Sequence, residues 1–134
     1  MANYLLDTNH LSPLVTLGHP LRQQILQSLD EGDTFAISVP VLTETLYGIG
    51  ILPRAKRNLQ EWEQLQPNFH CYIPDVVDAK RAAQLRILLR GQGWQLETID
   101  ALIAIVALRN NLILLTTDGD FQRIPQLNQE NWLA

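Results

Sequence analysis

The chain has a single cysteine, Cys71, in 134 residues. That excludes a disulfide framework and a cysteine-rich zinc site, and makes a reducing cytoplasm the default setting. Long apolar runs are also missing. The longest, Ala101 to Leu108, is far too short to span a bilayer. No secretory leader is expected, because Asp7 interrupts the first apolar stretch almost at once. There is no low-complexity tract, no evident repeat and no Gly/Ser linker, so residues 1–134 read as one domain. Basic charge is not in excess either: 14 acids against 10 Lys and Arg give a net charge of −4. This argues against binding nucleic acid through a broad basic surface, though not against a nuclease with its acids gathered in one place.

What is present is a folded, apolar chain. Hydrophobic residues make up 46%, enough to build a core at this length. Short apolar segments at 3–6, 35–38, 70–73 and 112–116 read as strands, with ENWL (130–133) as a last edge strand. Between them lie helical stretches. Thr8 or Asn9 caps one running to about Leu17, and Pro20 starts Leu21–Leu29. Pro40 precedes 41–51 and Pro53 opens 54–65. Asp75 precedes 76–89, and Thr98 caps Ile99–Leu108. The strands at 4–6 and 112–115 are apolar without alternation, the pattern of a parallel sheet covered on both faces. The expected fold is α/β, a three-layer α/β/α sandwich around a mostly parallel sheet.

Open α/β sheets place ligands at the carboxyl ends of their strands. Asp7 follows the first strand, and Asp118 follows the strand at 112–115, in LLTTDGDF. Either acid alone is unremarkable, most simply a helix cap or turn residue, but both at the same edge of the sheet are more informative. Asp100 lies in the first turn of a helix that is apolar nearly all round, which turns it toward a layer interface. It also complements the helix dipole there. Glu44 sits in 41–51 beside a stripe of Leu42, Leu46 and Ile49, either as a ligand or as a half-exposed surface acid. Four converging carboxylates would repel one another and raise their pKa values. Hard divalent cations such as Mg2+ or Mn2+, one or two of them, relieve that repulsion and suit phosphodiester hydrolysis. Without these four acids, ten of each sign remain.

Other residues carry two readings each. Arg54, Lys56, Arg57 and Arg86 could track RNA phosphates, or form solvated helix faces, with Arg54 and Arg57 pairing with Glu61. His10 is either a proton-transfer group or, more simply, a surface or dimer-interface residue. Trp62, Trp94 and Trp132 are scattered, which suits core or partner contacts better than base stacking.

LLDTNHLSPL (5–14), VPVLTETLYGIG (39–50), TIDALIAIVAL (98–108) and LLTTDGDF (114–121) together resemble PIN-domain proteins, specifically VapC-type toxin ribonucleases. In order and spacing the resemblance spans nearly the whole chain. It implies a PIN fold, RNA cleavage with Mg2+ or Mn2+, a VapB-like antitoxin and a homodimer. It carries an acidic quartet onto Asp7, Glu44, Asp100 and Asp118. Asp7 and Asp100 are then direct metal ligands, and Glu44 is a ligand or positions the attacking water. Asp118 holds a second metal or a water. Asn9 and Thr116 orient the carboxylates by hydrogen bonds. Asp120 competes with Asp118, which the spacing from Thr116 favours. The alternatives are a PIN nuclease for RNA processing without an antitoxin, and a non-catalytic receiver-like acidic module. The latter lacks a well-placed Lys after a late strand.

Overall fold

The computed structural model describes residues 1–134. Five strands, β1 (Asn3–Leu6), β2 (Thr34–Ser38), β3 (Phe69–Tyr72), β4 (Ile113–Leu115) and β5 (Gln129–Glu130), form one sheet. Their order is β3-β2-β1-β4-β5, and every pairing is parallel. The helices are α1 (Thr8–Leu11), α2 (Pro20–Asp30), α3 (Val39–Ile51), α4 (Ala55–Leu65), α5 (Val76–Gly91) and α6 (Thr98–Arg109). From β1 the chain steps outward through β2 to β3, then returns and continues on the other side through β4 to β5. Right-handed crossovers therefore put α1–α4 on one face and α5–α6 on the other. The helix contacts follow the same split, with α3 against α4 and α5 against α6. This is the expected three-layer architecture, and its topological switch point lies between β1 and β4.

The central strands supply the core. Leu5, Leu6, Leu114 and Leu115 have no exposed surface. They belong to a cluster of 31 buried hydrophobic residues that includes Ala101 and Ile103–Ala107 of α6. Truncating such a leucine to alanine costs about 2–5 kcal/mol. The register of β1 on β4 pairs Leu6 with Leu115. One further bond, from Asp7 N–H to the Leu115 carbonyl (3.0 Å), extends the ladder to the residue after the strand.

Several local expectations change. The first helix ends at Leu11 and tightens into a 3₁₀ turn over Ser12–Val15. Pro13 has no N–H and its ring would clash with a carbonyl four residues back, so an α-helix through Leu17 is prevented. The cap of α1 is Asp7 itself, whose carboxylate accepts from Thr8 N–H, while Thr8 and Asn9 are inside the helix. Thr98 caps nothing. Glu97 stands at that position without a side-chain bond, and the Thr98 hydroxyl accepts from Arg86 instead. In α3 the buried residues are Val41, Thr45 and Ile49, so the inward stripe is rotated from the expected one and Leu46 is partly exposed. The final strand is only Gln129–Glu130. Trp132 leaves the sheet edge and packs edge-on against Tyr4 and Phe35.

A carboxylate cluster at the switch point

Asp7 is the best-anchored acid. It is buried at 7% exposure, fixed by the last bond of the β1–β4 ladder. Its Oδ1 accepts from Thr8 N–H at 2.8 Å. Its Oδ2 accepts from the Thr116 hydroxyl at 2.8 Å and from Asn9 Nδ2 at 3.3 Å. Asp7 is thus both helix cap and site residue, and the two roles use different oxygens. Burial pushes its carboxyl above the usual range. The Thr116 and Thr8 bonds oppose that rise, and the neighbouring charges of Asp118 and Glu44 add to it.

Thr116, the residue after β4, ties the two strand ends together. While its hydroxyl donates to Asp7, it accepts from Asp118 N–H at 3.0 Å and from Asn9 Nδ2 at 3.4 Å. Asp118 in turn accepts from Asp120 N–H at 2.9 Å. The turn therefore presents both acids. One carboxylate oxygen from each of Asp100, Asp118 and Asp120 lies within 4.8 Å of the others. Asp100 comes from the first turn of α6. Its carboxyl is pushed up to about 6, first by burial and then by the charges of Asp7, Asp118, Asp120 and Glu44. Glu44 is exposed on α3 and linked to the first helix by Thr8, whose hydroxyl donates to its Oε2 at 3.1 Å.

The four expected acids thus share one electrostatic field, with Asp120 as a fifth member. None of them is ion-paired. The chain's salt bridges are Arg22–Glu61 and Arg109 with Asp75 and Asp78. A group of carboxylates without a cationic side chain is costly as it stands. Its all-oxygen donor set, with three donor atoms already close, fits a hard divalent cation.

His10 departs most from its expected place. It is completely buried. Nε2 accepts from Trp132 N–H at 3.1 Å, which leaves the proton on Nδ1 to donate to Asn9 Oδ1 at 2.7 Å. Burial pushes its imidazole down to about 4, so it stays neutral near pH 7. Asn9 Oδ1 also accepts from Thr117 N–H at 3.2 Å. That fixes the amide so that Nδ2 points to Asp7 and Thr116. The C-terminal segment, His10, Asn9 and Asp7 form one chain of hydrogen bonds. Nothing in the sequence around His10 reveals this, because its partner Trp132 lies 122 residues away.

The basic candidates divide. Arg54, Lys56 and Arg57 are exposed at the start of α4, with no hydrogen bond or ion pair linking them to the acids. Glu61 pairs with Arg22 of α2 at 3.0 Å, not with Arg54 or Arg57. Arg86 is half-buried and holds the approach to α6, donating to the Leu96 carbonyl (2.7 Å) and to the Thr98 hydroxyl (2.9 Å). Trp62 is core. Trp94 donates its indole N–H to the Asp120 carbonyl at 3.0 Å, an unexpected support for the acidic turn.

Comparison with known proteins gives a consistent picture. The family model for the PIN domain matches residues 4–127. Ribonuclease VapC2 of Rickettsia felis is 30% identical, over 96% of this chain and 97% of its own. Among solved structures, VapBC2 from Rickettsia felis bound to a DNA fragment from its promoter superposes with a TM-score of 0.84 at 27% identity. That match covers 97% of this chain and 98% of the other. DNA-bound VapBC from Salmonella typhimurium gives 0.82 at 26% identity, covering 98% and 99%.

Proposed function

The chain belongs to the PIN-domain family, and on that premise we propose that it is a divalent-metal-dependent endoribonuclease, the toxin of a VapBC-type pair. It acts in the cytoplasm as a single domain over residues 1–134, hydrolysing RNA phosphodiester bonds with one or two Mg2+ or Mn2+ ions. The observation that carries this reading is the meeting of Asp100, Asp118 and Asp120 within 4.8 Å beside buried Asp7, with no cationic side chain paired to any of them. The relatives that match along nearly their whole length include a named ribonuclease and toxin complexes of the VapBC kind.

Asp7, Asp100 and Asp118 would hold the metal, with Glu44 completing the set from α3. When bound, a divalent ion supplies positive charge to the scissile phosphate and makes an attacking water easier to deprotonate. The chain does the rest. Thr116, Thr8 and Asn9 fix the Asp7 carboxylate by three hydrogen bonds, so no reorganisation is needed as charge develops. Glu44 stands at the open side of the site, restrained by Thr8 through one oxygen. Its other oxygen is available to orient a water and take its proton. The half-buried Asp118 takes the fourth place in the quartet, and the exposed Asp120 extends the pocket toward solvent.

Partners follow from the surface. Tyr47 and Ile51, three and seven residues beyond Glu44 on α3, are 69% and 64% exposed. A VapB-like antitoxin seated there would cover the mouth of the site. Val76 and Val77 at the start of α5 are also exposed and suit a second copy in a homodimer. No helix is long and apolar enough to cross a membrane. The receiver-like alternative has no support in this family. A processing nuclease without an antitoxin is separated from the toxin by co-purification with a small partner.

The test is direct. Protein freed of any inhibitor should cleave RNA with Mg2+ or Mn2+, stop on addition of EDTA, and lose activity on Asp7→Asn with the fold retained by circular dichroism. Undiminished cleavage by Asp7→Asn would remove the basis of the proposal.

A further inference from the structure

Beside the acidic cluster lies a second concavity. The C-terminal half of α5 and the loop into α6 enclose a cleft of about 640 Å³, lined by Arg86, Ile87, Arg90, Trp94, Gln95 and Leu96 among others. Its volume falls in the range of small-molecule and cofactor sites.

The lining residues have separable tasks. Arg86 is committed to the fold by its bonds to the Leu96 carbonyl and the Thr98 hydroxyl, which hold the loop against α5. Arg90 is exposed and makes neither an ion pair nor a side-chain hydrogen bond. Trp94 is half-buried, and the guanidinium of Arg123 sits 4.6 Å from its ring centroid. The indole N–H of Trp94 also bonds the Asp120 carbonyl. The aromatic wall of the cleft is therefore fastened to the turn that presents Asp118 and Asp120.

This combination is specific in its chemistry. A free arginine calls for an anion, and a Trp–Arg pair is a platform for a flat ring. In a chain with a net charge of −4, Arg86 and Arg90 line one cleft with Trp94, and Arg123 lies over the Trp94 ring. A polyanionic substrate drawn to a carboxylate cluster needs a cationic foothold close by. The exposed Arg54, Lys56 and Arg57 have no structural link to the acids, whereas Trp94 has one.

We propose that this cleft is a nucleotide subsite for the RNA strand, seating an unpaired base on the Trp94–Arg123 pair with an adjacent phosphate at Arg90 while the scissile phosphate lies at the acids. The proposal rests on the ribonuclease reading and adds where, and by which side chains, single-stranded substrate is gripped. An acidic protein segment would use Arg90 and leave the aromatic platform without a role.

The experiment uses full-length Asp7→Asn protein, so that binding is measured without cleavage. A fluorescent single-stranded oligoribonucleotide is titrated against it and against double variants carrying Arg90→Ala, Trp94→Leu or Trp94→Phe. Stacking and one phosphate contact predict a Kd raised about tenfold by Trp94→Leu, largely restored by Trp94→Phe. Arg90→Ala should weaken binding and reduce the salt slope by about one. Because Trp94 also supports the Asp120 turn, Arg90→Ala is the cleaner variant, and made alone in the wild-type chain it should leave Mn2+ affinity unchanged. Equal Kd values for Arg90→Ala and its parent, or loss with Trp94→Leu that Trp94→Phe does not restore, would overturn the proposal. So would polyglutamate displacing the RNA at equal charge concentration. Wild-type protein that cleaves no RNA with Mn2+ would instead sink the ribonuclease reading itself.

Discussion

Changing Asp100 to Asn should stabilise the metal-free protein while abolishing cleavage. The carboxyl of Asp100 is pushed up to about 6 from an ordinary 3.8, by burial and by four neighbouring acids. Between those values the native state holds a proton that the unfolded chain has released. Stability therefore falls as pH rises through that window, and the penalty is complete above it. Two units correspond to at most about 3 kcal/mol. Asp100 is only half-buried, so solvent screening reduces this to about 1–2 kcal/mol. Its carboxylate makes no hydrogen bond within the chain, so the amide forfeits none. For a domain of this size the gain amounts to a rise in Tm of roughly 3–8 °C. His10 acts in the opposite direction over nearly the same range. Held down to about 4 by burial, it contributes stability that is present above its unfolded value of 6.5 and lost as pH falls. The two trends offset each other in the wild type, and only the second remains in the variant. Thermal unfolding by circular dichroism in EDTA should show the variant ahead at pH 8 and level with the wild type by pH 4. Excess Mg2+ should raise the wild type more than the variant. A variant that melts at or below the wild type at pH 8, or a gap that persists at pH 4, would refute the reasoning.

The hydrogen bonds behind the acids give further expectations. Thr116→Val removes the hydroxyl that joins Asp7 to Asp118. It should lower metal affinity or cleavage about 10–100-fold with little change in circular dichroism. His10→Leu strands the Trp132 N–H in the interior and removes one of the two donors to Asn9 Oδ1. Urea unfolding should show a loss of about 1–3 kcal/mol, with cleavage reduced as well. In Arg109→Met, Asp75 and Asp78 lose their cationic partner far from the acids. The melting temperature should drop while kcat is unchanged, which separates fold damage from site damage.

The sheet was legible because its central strands are buried on both faces. Continuous apolar runs at 4–6 and 112–115 have few other interpretations, and strand ends at a switch point locate Asp7 and Asp118. Asp100 was legible because it is the sole acid in the apolar helix that follows Thr98. Glu44 was harder. Its helix is apolar on more than one side, so the sequence does not single out Val41 and Thr45 as the residues that are buried with Ile49. His10 could not be read locally, since its burial depends on a C-terminal segment that folds back across Tyr4 and Phe35. The sequence presents cap and site member as alternatives for Asp7, and it is both, because a carboxylate has two oxygens and the cap uses only one. Trp94 gave no local signal, as its value lies in a bond to a turn 26 residues on.

The most direct measurement is anomalous diffraction from crystals of the protein soaked in Mn2+. The expected result is a peak bounded by the carboxylates of Asp7, Asp100 and Asp118, present in the wild type and absent from Asp100→Asn. No peak there at saturating Mn2+, or an ion held elsewhere while RNA is still cut, would contradict the assignment of these acids as the metal centre.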